Sequence, residues 1–121
     1  MQKILVVDDQ ADIRRLISLT LGKSFDIIEA ENGAQALERI RDERPAAVIL
    51  DVMMPGGLDG FQVLEFIKND PALKTIKVVM VTAKGQACDL ELANSTGADG
   101  YLVKPFSPLQ LVGLLREKLA A

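Results

Sequence analysis

The sequence predicts an α/β fold, in which an open parallel sheet of five strands carries helices on both faces. Three observations support this prediction. Strand and helix patterns alternate along the 121 residues. Several strand patterns are uninterrupted apolar runs, which suit strands covered by helices on both sides. Four strands lead into a polar residue, and open α/β sheets bind ligands outside the carboxyl ends of their strands.

The polarity of the strands predicts their order. Three of them are continuous apolar runs, as central positions require: residues 4–7, 48–50 and 78–81. Two are mixed or short and belong at the edges: residues 25–30 and 101–104. With short connections and right-handed crossovers, the order 2-1-3-4-5 satisfies both conditions. The order reverses between strands 1 and 3, so Asp8, Asp9 and Asp51 are expected to lie together.

The connections between strands carry apolar residues at helical spacing. The first helix has Ile13, Leu16, Ile17 and Leu21 before a stop at Gly22. Turn and capping residues mark the other boundaries: Asn32-Gly33, Arg44-Pro45, Asp59 and Asn69-Asp70-Pro71. A weakly amphipathic fourth helix and a fifth helix are also predicted, with these apolar residues: Leu90 and Ala93, then Leu111, Val112, Leu115 and Leu119.

Composition limits the classes of function. A chain of 121 residues, 49% of them apolar, fits a single domain over residues 1–121 with no output domain. A formal charge of −3 and a pI near 4.9 disfavour direct nucleic-acid binding, which depends on neutralising phosphates. The absence of His excludes a catalytic triad. The lone Cys88 excludes a metal cluster built from cysteines. Without a leader or a long apolar stretch, a soluble cytoplasmic protein with no membrane contact is expected.

The expected meeting of three carboxylates implies a cation. Two like charges about 4 Å apart repel by roughly 4 kcal/mol at an effective dielectric of 20. A few hard oxygen ligands favour Mg²⁺, which keeps several waters and often shares its shell with a phosphoryl group. Lys104 adds a positive charge, and Thr82 adds a hydroxyl donor. These groups suit phosphoryl transfer to an Asp as covalent acceptor.

The motifs at the strand ends follow one another at a characteristic spacing. On these motifs the chain resembles the response-regulator receiver domain from end to end, a family with a flavodoxin-like fold. The matching residues are Asp8-Asp9, Asp51, Met54-Pro55, Asp59-Gly60, Thr82-Ala83, Gly97-Ala98-Asp99 and Lys104-Pro105-Phe106.

The resemblance implies that Asp51 accepts a phosphoryl group. The donor would be a phosphohistidine on a histidine kinase or phosphotransfer protein, or a small donor such as acetyl phosphate. Besides Asp51, the Mg²⁺ ligands would be Asp9 directly, Asp8 mainly through water and Met53 through its backbone carbonyl. The protein would act on itself alone, catalysing its own phosphorylation and dephosphorylation, and would not be an enzyme in the wider sense.

The resemblance also implies a switch. Lys104 would pair first with Asp51 and then with a phosphoryl oxygen, while Thr82 would move inward to donate to another. Tyr101 would then rotate inward and change the face formed by the fourth helix, fifth strand and fifth helix, where an output protein would bind. The Lys104-Pro105 bond would be cis, which aims the lysine at the site.

Several residues depart from the family pattern. Gly56-Gly57-Leu58 contains one inserted residue, which predicts a longer loop beside the site. Met53 cannot orient an attacking water and the cation of Lys84 could reach the phosphoryl group, so we expect a phosphoryl lifetime longer than that of the fast chemotaxis regulators. Gly100 and Leu114 replace an Asp and an Arg that are usual in receivers of winged-helix transcription factors, which disfavours that type of dimer.

Apolar residues of the fifth helix suggest a docking surface. Leu109 and Leu114 lie away from the apolar stripe of that helix, and some apolar surface is therefore expected to be exposed. The alternatives are packing at the helix end and a docking face for a partner protein.

Three other functions fit the sequence less well. A flavodoxin-like cofactor carrier needs a phosphate loop rich in Ser, Thr and Gly after strand 1, where this chain has Asp8-Asp9. An aspartate-dependent phosphatase commonly has a second Asp at the position of Met53. A pseudo-receiver, which binds partners without phosphorylation, normally lacks Asp9, Asp51 or Lys104, all of which are present.

Overall fold

The structure is a computed structural model that describes residues 2–52, 57–83, 97–104 and 106–120. Five parallel strands form one sheet in the order β2-β1-β3-β4-β5, which confirms the predicted fold class. The two mixed strands lie at the edges. An edge strand has a neighbouring strand on one side only, so it stays partly exposed and can carry polar residues. The strands are Lys3–Val7 (β1), Asp26–Ala30 (β2), Ala47–Asp51 (β3), Lys77–Ala83 (β4) and Gly100–Lys104 (β5).

Helices cover both faces of the sheet. Within the described residues they are Ala11–Leu21 (α1), Gly33–Glu43 (α2), Gly60–Asn69 (α3) and Pro108–Leu119, the C-terminal helix. The first and last of these pack on one face, and α2 and α3 pack on the other. The helix predicted around Leu90 and Ala93 lies outside the described residues. None of the described helices is long and apolar enough to cross a membrane.

Alternating side chains of each strand supply the two cores. In β1, Leu5 and Val7 join the core under α2 and α3, whereas Ile4 and Val6 join the core on the opposite face. All four are at most 1% exposed. Burial on both faces explains why the central strands are continuous apolar runs in the sequence.

Predicted capping residues act as caps. The Asn32 side chain accepts a hydrogen bond from the Gln35 backbone N–H at the start of α2. At the start of α3, Asp59 accepts from the Gln62 N–H and the Gln62 side chain accepts from the Asp59 N–H, which forms a capping box. Arg44 ends α2 in the left-handed region at φ 45°. These local interactions fix where the helices start and stop around the sheet.

Some apolar positions differ from the prediction. Leu16 was expected to share the buried stripe of α1, but it is 57% exposed, whereas Ile17 and Leu21 are buried. One residue turns an α-helix by about 100°, so Leu16 lies on the flank of the face that Ile17 buries. In the C-terminal helix, Leu109 is exposed as predicted, but Leu114 is half-buried against the core.

Candidate functional site

Three carboxylates meet at the carboxyl edge of the sheet, where the strands end. Asp8 and Asp9 follow β1, and Asp51 is the last residue of β3. One carboxylate oxygen from each residue lies within 4.8 Å of the others. Because β1 and β3 are adjacent and parallel, with Val7 paired to Leu50, both strands end at the same level. The structure therefore brings together the three carboxylates that the strand order predicts to meet.

The three carboxylates differ in exposure. Asp8 is 2% exposed and Asp51 is 7% exposed, whereas Asp9 is exposed. A buried carboxylate needs polar partners, and Asp8 Oδ1 accepts a hydrogen bond from the Gln10 backbone N–H at 2.9 Å. The Asp8 N–H in turn donates to the Ala30 carbonyl of β2 at 3.2 Å. Asp8 is thus held inside the site, and Asp9 offers the outermost oxygen atoms.

Lys104 brings a positive charge to the site from β5. Its Nζ donates to Asp8 Oδ2 and to Asp51 Oδ2, each at 3.3 Å. Charge-assisted N–H···O bonds are usually about 2.7–2.9 Å long, so the ammonium is shared between the two carboxylates. The four side chains of Asp8, Asp9, Asp51 and Lys104 carry three negative formal charges and one positive charge. Negative charge is therefore in excess in this set.

Thr82 lies on β4, between the strands of Asp51 and Lys104. It is 1% exposed, and its partner in the register of β5 is Val103. Paired residues of adjacent strands point to the same face of the sheet, and residues two apart on one strand do likewise. Thr82 therefore shares a face with Val103 and Tyr101, which are 37% and 38% exposed.

Two predicted site residues, Met53 and Pro105, lie outside the described residues. The same holds for Lys84, for the Met54-Pro55 motif and for Gly56 of the expected insertion.

Gly60 lies against the end of the strand that carries Asp51, a contact that the sequence analysis does not predict. A Cβ atom at Gly60 would lie 2.4 Å from the carbonyl oxygen of Asp51 and 2.8 Å from Val52 Cα. The Gly60 N–H also donates to the Val52 carbonyl at 2.9 Å. Only a residue without a side chain lets α3 begin so close to the strand that carries Asp51. In the Asp59-Gly60 pair the first residue caps α3 and the second approaches the main chain of Asp51, and the pair alone does not reveal this approach.

Gly100 and Leu114, the two unusual positions, are neighbours. A Cβ atom at Gly100 would lie 3.4 Å from both Cδ atoms of Leu114. At this point the C-terminal helix approaches β5 through Leu114 and the aliphatic part of Lys118, whose Cε would lie 3.4 Å from the same Cβ atom. The residues in these positions cannot form the ion pair that an Asp and an Arg would form.

The donor set of the site fits a small, hard cation. Carboxylate oxygens are the ligands that Mg²⁺ prefers, and Mg²⁺ keeps waters where the protein supplies few ligands. Asp8, Asp9 and Asp51 provide such oxygens close together, with excess negative charge for a cation to offset. Two of the carboxylates are buried and one is exposed, so the group is reached by solvent from the side of Asp9.

Comparisons with known proteins agree with this geometry. Residues 4–116 match the family described as the response regulator receiver domain. The probable transcriptional regulator ycf27 of Porphyra purpurea is 43% identical over 119 residues, which are 98% of this chain and 47% of that protein. The DNA-binding response regulator MtrA of Mycobacterium tuberculosis is 40% identical over 119 residues, which are 98% of this chain and 50% of that protein. The chain thus spans about half the length of these relatives.

Solved structures show the same fold over the whole length of the chain. A putative response regulator from Chloroflexus aurantiacus superposes with a TM-score of 0.94 at 33% identity, covering 99% of this chain and 98% of its own. The chemotaxis response regulator CheY4 of Vibrio cholerae superposes with a TM-score of 0.89 at 31% identity, covering 98% of each chain. The chain therefore belongs to the receiver-domain family of two-component response regulators.

Proposed function

We propose that the chain accepts a phosphoryl group on Asp51 in the presence of Mg²⁺ and that this modification controls binding of a partner protein. The observation that carries the proposal is the meeting of Asp8, Asp9 and Asp51 within 4.8 Å, with Lys104 bonded to two of them. A carboxylate in this setting is a nucleophile beside groups that stabilise phosphoryl charge.

The transfer makes one bond and breaks one. A carboxylate oxygen of Asp51 attacks phosphorus, and the bond from phosphorus to the donor breaks. The donor is a phosphohistidine of a histidine kinase or phosphotransfer protein, or acetyl phosphate. The leaving imidazole nitrogen or acetate oxygen keeps the electron pair of the broken bond. Asp51 ends as an acyl phosphate, and hydrolysis later returns the carboxylate.

The neighbouring residues have separate roles. Asp9 would hold Mg²⁺ directly and Asp8 would hold it through water, and Asp51 and the Met53 carbonyl would complete the protein ligands. When bound, Mg²⁺ offsets the negative charge of the carboxylates and the phosphoryl oxygens. Lys104 exchanges its bond to Asp51 for one to a phosphoryl oxygen.

The switch transmits the modification to the surface. Thr82 moves so that its hydroxyl donates a hydrogen bond to the phosphoryl group. Tyr101 then turns inward from its exposed position. Both residues lie on the same face of the sheet, which supports this coupling. The surface that changes would include β5, the C-terminal helix and the fourth helix predicted from the sequence, and an output protein would bind there.

The wider setting of the chain is also proposed. An inert pseudo-receiver is not supported, because the chain belongs to a family of response regulators and keeps Asp9, Asp51 and Lys104. MtrA is described as DNA-binding, but it is about twice the length of this chain. That this chain itself does not contact nucleic acid, that it is cytoplasmic and that its phosphoryl group is long-lived remain predictions.

Acetyl phosphate provides the direct test. Incubation of the protein with acetyl phosphate and Mg²⁺ should add the mass of one phosphoryl group in intact-mass spectrometry. Asp51→Asn should remove the adduct completely, and chelation of Mg²⁺ should remove most of it. Asp42→Asn, which changes an exposed carboxylate of α2, serves as the matched control and should be phosphorylated like the wild type. An adduct that persists in Asp51→Asn would overturn the assignment of the acceptor.

A further inference from the structure

We infer that Arg14 is a positioning residue for the Mg²⁺ site, because its guanidinium group holds the main chain between the two adjacent aspartates, Asp8 and Asp9. The inference rests on the proposed function, since it concerns the same cation.

Arg14 makes two short hydrogen bonds from α1. Its Nη1 donates to the carbonyl oxygen of Asp8 at 2.8 Å, and its Nε donates to Glu29 Oε1 of β2 at 2.9 Å. The side chain of Arg14 is only 16% exposed. A guanidinium group is planar and presents its donors at fixed angles, so two bonds together fix its orientation. Arg14 therefore ties the end of β1 to the adjacent edge strand.

The bond to Asp8 acts on Asp9 through the peptide group. The Asp8 carbonyl belongs to the planar unit that continues to the Asp9 nitrogen. Holding its oxygen fixes the plane of that unit, and the Asp8 N–H is held as well, by the Ala30 carbonyl. The side chain of Asp9 is exposed, so the direction in which its backbone leaves Asp8 decides where its carboxylate lies.

The charge of Arg14 opposes its positioning effect. A guanidinium group near a cation site repels the cation, so its removal should tighten Mg²⁺ binding if charge were its only contribution. The carboxylate of Glu29 offsets this charge at 2.9 Å. Loss of the positioning bond should weaken Mg²⁺ binding. The two effects have opposite signs, and affinity measurements can therefore separate them.

The test compares two arginines that are adjacent in α1. Arg14→Ala removes both hydrogen bonds, whereas Arg15→Ala removes the same charge from an exposed position. In calorimetric titration with Mg²⁺, we expect about tenfold weaker binding for Arg14→Ala, as for other residues that orient metal ligands. Binding by Arg15→Ala should equal or slightly exceed that of the wild type.

A second readout needs no metal. The ¹³C chemical shift of the Asp8 carbonyl reports its hydrogen bond, so it should change in metal-free Arg14→Ala and stay constant in Arg15→Ala. Should Arg14→Ala fail to fold, Arg14→Lys and Arg15→Lys form the corresponding pair, since both keep the charge. We then expect weaker Mg²⁺ binding for Arg14→Lys alone.

The outcomes are distinguishable. A wild-type protein that does not bind Mg²⁺ would overturn the metal site of the proposed function. If the wild type binds Mg²⁺ and the matched Arg14 and Arg15 variants bind it with equal affinity, the role of Arg14 would be overturned. The proposed function would still stand.

Discussion

Two clusters of lysine and carboxylate lie at opposite edges of the same sheet, and they differ in how far their charges are matched. At the amino edge, where the strands begin, Lys68 Nζ donates to Asp99 Oδ2 at 2.8 Å. At the carboxyl edge, Lys104 is shared at 3.3 Å between Asp8 and Asp51. The first cluster has one lysine for one carboxylate. Among the described residues, the second has one lysine for three carboxylates, because Asp9 belongs to it as well.

At the amino edge, the Lys68 ammonium has three hydrogen-bond acceptors. Besides Asp99, Lys68 Nζ reaches the carbonyl oxygens of Ile76 at 2.9 Å and Lys74 at 3.2 Å. The Asp99 oxygen that it binds also accepts the Val78 N–H at 2.8 Å. The cluster joins the end of α3 to the starts of β4 and β5. Its matched charges and short bonds are typical of a structural support.

The difference shows how one sheet can carry both support and function. A matched cluster gains nothing from an added cation, whereas a cluster with excess negative charge is destabilised until a cation arrives. Under the proposed function, the carboxyl edge would give up some stability for a binding site, which is a common trade at functional sites. Variants at the two edges should therefore change stability in opposite directions.

The largest effect on stability is expected at the amino edge. Lys68→Met keeps the length of the side chain but removes the ammonium, which leaves Asp99 and two carbonyls without this donor. Because the two side chains are only 18% and 23% exposed, we expect a loss of about 3 kcal/mol in the free energy of unfolding. Urea denaturation followed by circular dichroism measures this loss.

Lys23→Met, at an exposed position after α1, is the control for this substitution and should change stability little. The effect of Lys68→Met should also be the same with and without Mg²⁺. A loss no greater than that of Lys23→Met would mean that the amino-edge cluster is not a support.

The opposite sign is expected at the carboxyl edge. Asp9→Asn removes one of three like charges, so the metal-free protein should become more stable by about 1 kcal/mol, a small gain because Asp9 is exposed. With saturating Mg²⁺ the advantage should disappear, since the wild type then gains binding energy that the variant loses. Thermal unfolding with and without Mg²⁺ measures both quantities.

Asp42→Asn, on the outer surface of α2, removes an equal charge away from the site and controls for net charge. If Asp9→Asn lowered the stability of the metal-free protein, the three carboxylates would not repel one another as the geometry implies.

The smallest effect concerns a third ion pair, between Lys3 at the start of β1 and Glu43 at the end of α2. Their charged atoms are 2.7 Å apart, but both side chains are largely exposed. The hydrogen bond from Lys3, together with its charge, lowers the pKa of Glu43 below its ordinary 4.5. The hydrogen bond to Glu43, together with its charge, raises the pKa of Lys3 above its ordinary 10.5. We expect Glu43→Gln to reduce stability slightly at neutral pH, less than either substitution above.

The pH dependence of this small effect follows from the two shifts. The contribution of Glu43 should be complete above its ordinary pKa and vanish as the pH falls through its lowered pKa. The contribution of Lys3 should be complete below its ordinary pKa and vanish as the pH rises through its raised pKa. Urea denaturation should give free energies of unfolding for wild type and Glu43→Gln that differ near neutral pH. The difference should disappear at both ends of the pH range. A difference that persisted in acid would indicate packing instead of charge.

Much of the fold was predictable because it depends on local patterns. The continuous apolar run of residues 48–50 marked a central strand, and Asp59 marked the start of α3. The exposure of Leu16 was not predictable, since helical spacing places it beside the buried Ile17 and only the packing of α1 on the sheet decides which flank is covered. The half-burial of Leu114 likewise depends on its packing against residues of other elements.

The sequence by itself determined the order of the strands and, through that order, the meeting of Asp8, Asp9 and Asp51. It could do so because strand polarity and connection rules leave few arrangements. Only the tertiary structure decided that Gly60 contacts the main chain of Asp51 and that Arg14 holds the Asp8 carbonyl. Both are contacts with backbone atoms of a different element. Every residue has such atoms, so no pattern of residue types reveals which of them a distant side chain or helix will reach.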